Sequence, residues 1–281
     1  MKPVSFAIER PASLAEAAKL LAGHDGAAKI IAGGQSLGPM LNLRLTQPNL
    51  LIDITGIPEL TRVESGADHL TLGACITTAD MEDGRIGAGA LATILARVAR
   101  LIAYRAVRNR GTVGGSLCHA DPAADWMTAL AALGADAVVT DGTRERLVPV
   151  ARLMRGAFET DINSGEILQA IRIPKVSSRA RWGYYKVCRK VGEFALAIGA
   201  IYSDSERGAF RAVMGATSGA PVVIDDASVL FGGVREPGPS VSLDEAAATD
   251  LLAATGNDVD TVRRRLHLSA LSRAVDEARG R

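Results

Sequence analysis

The chain has 281 residues, 48% of them hydrophobic and 22% charged, with 32 Lys and Arg against 31 Asp and Glu. That length predicts roughly two domains, and the even charge excludes the overall basic field with which nucleic-acid-binding chains attract phosphate. No apolar run approaches the ~18 residues of a membrane-spanning helix, and the opening MKPVSFAIERPASL lacks the basic start and apolar core of a secretory leader; a cytoplasmic chain is expected.

In chain order, PASLAEAAKLLAGHDG predicts a short helix, with Ser13 and Glu16 at capping-box spacing and Gly23 as its stop. AAKIIAGG predicts a buried strand running into a glycine turn and NLLIDIT a second strand, so the first fifty-odd residues form a small β-α-β unit. GADHLTLGACIT alternates like a strand, and GALATILARVARLIAYR has helical spacing. Asn109 to Trp126, NRGTVGGSLCHADPAADW, is read as a loop before the helical MTALAALGA. DAVVTD and RLVPV predict paired strands, and GEILQAIRIP a strand that stops at Pro174. KVSSRAR, Lys175 to Arg181, marks a domain boundary. WGYYKVCRK, FALAIGAIYSD and FRAVMGAT predict three further strands, VREPGPSVS a local turn, and the last fifty residues helices. Cys75, Cys118 and Cys188 form no CxxC pair, so each is expected as a buried free thiol and no iron–sulfur cluster is expected in this chain.

Two glycine segments raise the question of a phosphate. Gly33-Gly34 and Gly114-Gly115 each permit the positive-φ turns and close approach by which backbone N–H groups converge on an anion, and each is followed by a serine, Ser36 or Ser116. Two such loops can hold the two halves of a pyrophosphate from opposite sides. A plain structural turn stays open for each. Neither segment is G-x-G-x-x-G, and no G-x-x-x-x-G-K-[ST] occurs, which disfavours a Rossmann site or a P-loop. His119 has no Cys or His partner at metal-ligand spacing; a hydrogen-bonding role in the loop is expected. Asp121, before Pro122, is the expected plain N-cap of the helix that follows.

AGGQSLGPMLNLRL with LLIDIT, and VRNRGTVGGSLCHADPAAD, resemble the two signature segments of the FAD-binding medium subunits of molybdenum hydroxylases, the group of the carbon monoxide dehydrogenase medium subunit and the xanthine dehydrogenase flavin domain. GEILQAIRIP and YYKVCRKVGEFALA resemble later family segments in the right order, so the resemblance runs through almost the whole chain.

The resemblance implies an α+β fold: a p-cresol methylhydroxylase-type FAD-binding domain at 1–175, made of two α/β subdomains (about 1–56 and 57–175), then an antiparallel sheet with helices at 176–281. It implies noncovalent FAD, its pyrophosphate gripped by backbone amides of Ala32, Gly33, Gly34, Gln35, Ser36 and Leu37 and of Thr112, Val113, Gly114, Gly115 and Ser116, with Ile31 also at the cofactor. Asp125 would meet ribose or ribityl hydroxyls, with a helix-dipole charge as its plainer role. Leu168 would contact the flavin, with a plain core-strand role equally open, and Ile102 would lie near the adenine or flavin ring. Lys186 would stand near the flavin's pyrimidine end, stabilising negative charge there. Phe194 occupies a position where relatives often carry tyrosine; a core ring is expected. Arg108 and Arg110 are expected to pack around the loop.

The implied function is electron transfer, from a molybdopterin in a large subunit through [2Fe-2S] clusters in a small subunit to FAD here and on to an external acceptor, in a dimer of heterotrimers. No catalytic acid, base or nucleophile is required of this chain. A self-sufficient FAD oxidoreductase is the alternative, though the C-terminal hundred residues lack a marked substrate domain; a flavin-free scaffold subunit is a third, against which the intact glycine segments weigh.

Overall fold

The computed structural model describes residues 2–24, 26–235, 241–256 and 260–280. The first unit contains β1 (Ala7–Glu9), α1 (Leu14–Ala22), β2 (Ala28–Ile31), α2 (Leu37–Asn42) and β3 (Leu50–Asp53). Its strands lie in the order β1-β3-β2, parallel throughout, a pairing that needs crossovers such as those carrying α1 and α2. The Ser13 hydroxyl accepts from the Glu16 amide at 3.2 Å, while the Glu16 carboxylate accepts from Ala12 at 2.8 Å, one residue before the position a full capping box uses. Buried Ala17 and Ala18 let α1 lie close to the sheet.

The second unit opens with β4 (Val63–Ser65), β5 (His69–Gly73), α3 (Thr78–Glu82), α4 (Ala90–Arg100), α5 (Arg105–Arg108), α6 (Val113–His119) and α7 (Asp125–Leu133). It closes with β6 (Asp136–Thr140), β7 (Glu145–Pro149), α8 (Val150–Leu153), the small hairpin of β8 (Met154–Gly156) and β9 (Glu159–Thr160), and β10 (Ile167–Pro174). Five strands form an antiparallel sheet in the order β4-β5-β10-β6-β7, with a bulge between Leu168 and Ala170. The expected pairing of DAVVTD with RLVPV is β6 with β7.

The third unit is β11 (Arg181–Val187), β12 (Ala197–Asp204), β13 (Ala209–Gly215) and β14 (Val222–Ile224), antiparallel in chain order, followed by α9 (Glu245–Ala254) and α10 (Thr261–Ala278). α10 crosses β11 and β12 where the strands have no side chains: a Cβ at Gly183 or Gly199 would run into the helix backbone at Ala274 or Ala270. The chain passes from the second sheet to the third between Pro174 and Arg181, and Asp204 anchors the connection by accepting from the Ser177 amide and hydroxyl at 2.8 and 2.6 Å.

α7 joins these layers. All nine of its residues are buried, because it contacts β10 on one side and β12 and β13 on the other. Arg211 of β13 donates to the Ala132 carbonyl at 2.9 Å and so satisfies an acceptor at the end of α7.

Several sequence expectations are corrected. Asn109–Trp126 is not a loop; it contains α6 and the start of α7, and Gly114 and Gly115 are helical. Asp121 does not cap α7; it closes a turn on the Ala123 amide at 2.9 Å, and Ala124 stands at the N-cap. Of the cysteines only Cys75 is buried, Cys118 being exposed and Cys188 intermediate. Phe194 is 71% exposed, because it projects from the connection between β11 and β12 rather than from a strand. His119 lays its ring against Phe158, with centroids 5.2 Å apart, so its contact is ring packing. Part of VREPGPSVS, residues 236–240, lies outside the described residues. Among the described residues no helix is long and apolar enough to cross a membrane.

Candidate cofactor site

The two glycine segments, about eighty residues apart in sequence, meet in space. Gly33 is buried with its Cα against the Arg110 carbonyl and Gly111; a Cβ there would collide with that carbonyl. A Cβ on Gly111 would in turn reach the Gln35 side chain at 3.8 Å. Only glycine allows this contact.

The first segment turns because Gly34 takes φ 70°, a left-handed value that glycine adopts without a Cβ penalty. Ile31 ends β2, Ala32 to Gln35 form the turn, Ser36 stands at the start of α2 without a side-chain cap, and Leu37 is its first residue. Gln35 Nε2 donates to the Gly33 carbonyl at 3.1 Å and stiffens the turn. No acceptor among the described residues takes the backbone N–H of Gly33, Gly34, Gln35, Ser36 or Leu37. A run of five unsatisfied donors suits an oxyanion.

The second segment is built differently. Val113 donates to the Ile76 carbonyl at 3.0 Å, Gly114 to the Ala74 carbonyl at 2.9 Å, Ser116 to the Thr112 carbonyl at 3.0 Å and Gly115 to Thr112 Oγ1 at 3.0 Å. The amides of Val113 to Ser116 are thus already engaged. Thr112 caps α6, and a Cβ at Gly114 would strike Ala74. This segment offers the exposed Gly115 and the half-buried Ser116 hydroxyl rather than a nest of free amides. Cys118, three residues beyond Gly115, shares its exposed helix face.

Arg108 braces the approach to α6. Its guanidinium grips Glu82 through two bonds of 2.7 and 3.0 Å and also donates to the carbonyls of Ile102 and Ala103, each at 2.9 Å. That hydrogen-bonded guanidinium holds the Glu82 carboxyl below its usual range. Arg108 therefore packs, as expected, and Arg110 contributes its carbonyl to the Gly33 contact.

The structure brings Asp125 and Lys186 together. The side chains of Asp125, the first residue of α7, and Lys186 on β11 are only 5% and 4% exposed, and Nζ lies 2.8 Å from Oδ2. Lys186 also donates to the Leu101 carbonyl at 3.2 Å, and the Tyr184 hydroxyl donates to Asp125 Oδ1 at 2.9 Å. Burial pushes the Asp125 carboxyl above its usual range, against the pull of Lys186 and Tyr184. Burial and the neighbouring carboxylate keep Tyr184 protonated, so it stays a donor. Leu101, Tyr184 and Lys186 line a cavity of about 770 Å³ with Arg97, Arg100 and Arg273.

Leu168 is 3% exposed on β10, opposite Val139 at the bulge. Ile102 follows Leu101, is half-buried, and is bridged to Gly192. Sequence reasoning did not find Tyr184. Its signal was the i, i+2 spacing to Lys186, which places both on one face of a strand.

A row of amides without acceptors among the described residues, beside a second glycine segment on α+β layers joined by one buried helix, has the chemistry of a protein that binds an anionic group such as a diphosphate. Residues 4–176 match the family described as FAD binding domain in molybdopterin dehydrogenase, and the chain belongs to that family. It is 35% identical over 255 residues to the nicotine 6-hydroxylase medium subunit of Paenarthrobacter nicotinovorans, covering 89% of each chain. It is 31% identical to the carbon monoxide dehydrogenase medium chain of Afipia carboxidovorans, covering 100% of this chain and 99% of that one. The structure of reconstituted CO dehydrogenase from Oligotropha carboxidovorans contains a chain similar to this one, with TM-score 0.87, 30% identity and full coverage of both.

Proposed function

We propose that this chain is the FAD-binding electron-transfer subunit of a molybdenum hydroxylase. The observation that carries the reading is the row of amides from Gly33 to Leu37, which lack acceptors among the described residues and stand beside α6. FAD, when bound, supplies the redox chemistry, taking electrons from one partner and releasing them to another.

The residues of the chain bind and orient. Amides of Gly33 to Leu37 hold the diphosphate, with Ile31 and Ala32 fixing the strand end behind them. On the other side α6 presents Gly115 and the Ser116 hydroxyl, its start pinned by Thr112, Val113 and Gly114. Leu168 and Ile102 provide apolar wall. Asp125 keeps a second lone pair on each oxygen beyond those used by Tyr184 and Lys186, which leaves it able to accept from cofactor hydroxyls. Lys186 would supply positive charge toward the pyrimidine end of a bound flavin.

The partners in this reading are a large molybdopterin-binding subunit and a small subunit with [2Fe-2S] clusters, assembled as a dimer of heterotrimers in the cytoplasm. Residues 1–175 form the FAD-binding domain, with subdomains at about 1–56 and 57–175, and residues 176–281 the second domain. The two divisions are supported by the change of sheet between β3 and β4 and between β10 and β11.

FAD is bound noncovalently. Acid precipitation of the purified chain should release the yellow colour into the supernatant, and mixing the chain with its partners should restore substrate-driven bleaching of the flavin band. Colour held in the pellet overturns noncovalent binding. Oxidation of a small substrate by the partner-free chain at a rate typical of enzymes, about 10 per second, overturns the subunit assignment in favour of a self-sufficient oxidoreductase.

A further inference from the structure

The Lys186–Asp125 pair spans two units, since Asp125 begins α7 of the second and Lys186 sits on β11 of the third. Tyr184, also on β11, reaches the same carboxylate from two residues away. The three polar groups, with the Leu101 carbonyl, form one hydrogen-bonded set: the Tyr184 hydroxyl donates to Asp125 Oδ1, and Lys186 Nζ donates to Asp125 Oδ2 and to the Leu101 carbonyl. In such a set a carboxylate oxygen that loses its donor draws the nearest remaining one. The nearest is the Lys186 ammonium.

We infer that Tyr184 is a positioning residue: by occupying Asp125 Oδ1 it limits the hold of the carboxylate on Lys186 and leaves the ammonium bridging to Leu101 at the wall of the 770 Å³ cavity. The inference rests on the proposed placement of Lys186 toward the flavin. It assigns to the third unit, through β11, control over how much positive charge the cofactor meets.

In Tyr184→Phe the ring packing stays and the hydroxyl goes. Asp125 then takes Lys186 more fully, less positive charge faces the cofactor, and negative charge added on reduction is stabilised less. The expected result is a loss of about tenfold in the preference of the full chain for reduced over oxidised FAD, equal to a fall of about 30 mV for a two-electron couple, measured by equilibration with redox dyes. Lys186→Met should lower the potential further, and the double variant should match Lys186→Met alone, because Tyr184 acts through Lys186. The melting temperature of each apo chain, read alongside, reports stability separately.

Fluorotyrosine at position 184 keeps the shape, strengthens the donated bond and should raise the potential; it decides the matter should Tyr184→Phe fail to fold. A Tyr184→Phe chain that melts earlier but holds an unchanged potential overturns the inference, as does full additivity in the double variant. An unchanged potential in FAD-loaded Lys186→Met removes the placement of Lys186 and this inference with it. Failure of the wild-type chain to bind FAD overturns the proposed function itself.

Discussion

Gly33 and Arg110 touch backbone to backbone, the Cα of one against the carbonyl of the other, and this contact seats the first glycine turn on the segment leading into α6. Gly33→Ala must push the two apart. FAD affinity should fall by about tenfold or more, ~1.4 kcal/mol or greater, in a titration that follows flavin fluorescence. Gly56→Ala, where a Cβ meets nothing within 4 Å, is the matched control and should bind as wild type. Equal affinity in both variants would detach the first turn from the site.

Gly115 tests the second segment on different grounds. It is helical rather than left-handed, so substitution acts by crowding: a Cβ would lie 2.8 Å from Thr112 Oγ1, the oxygen that accepts the Gly115 amide. Gly115→Val should weaken FAD binding and disturb the cap. Thr112→Ala, which removes the cap alone, should cost about 1 kcal/mol of stability. Chemical denaturation of the apo chains combined with FAD titration separates the two effects.

The buried ion pair predicts a strong asymmetry. Asp125→Ala leaves the Lys186 ammonium without its carboxylate in the interior and should destabilise the apo chain by about 3–5 kcal/mol. Asp125→Leu combined with Lys186→Met removes both charges and should be clearly less damaging than the sum of its parts. Urea unfolding of wild type, Asp125→Ala, Asp125→Leu, Lys186→Met and the double variant as apo chains checks this; additive losses would mean that the pair is not coupled.

His267 on α10 is 1% exposed, and its Nδ1 has no hydrogen-bond partner among the described residues. Burial, aided by Arg263, pushes its pKa from 6.5 down to about 4. The folded chain therefore keeps this ring neutral while the unfolded chain protonates it, so its stabilising contribution is whole above pH 6.5 and is lost as pH falls toward 4. The loss at the acid end is on the order of 3 kcal/mol. His267→Leu should flatten that part of the stability profile, measured by unfolding between pH 7 and 4; an unchanged slope would assign the acid sensitivity to other groups.

Local pattern made much of the layering legible. Alternation in the segment that became β5, the strand segments that became β12 and β13 and the capping residue of α1 all read correctly, because a strand with one buried face carries a period of two and a strand buried on both faces, such as β12, an unbroken apolar run. The glycine segments also stood out, since each is dense in a residue that few other constraints favour.

Elements too short to show a period did not read. β1 is three residues long, and α6 is seven residues with two glycines, so neither displays a repeat. For the cradle, sequence alone put two Gly-Gly pairs in view as equals. Tertiary structure made them unlike: the amides of Val113 to Ser116 find acceptors on neighbouring strand ends and on Thr112, while those of Gly33 to Leu37 find none among the described residues. Whether an amide is free depends on which carbonyl lies 3 Å away, and for α6 those at Ala74 and Ile76 come from a chain segment about forty residues distant. The same holds for Asp125, Tyr184 and Lys186. Their identities were visible as residues, but their union as one hydrogen-bonded set required α7 to be packed between two sheets, which burial of its whole surface brings about and no local spacing encodes.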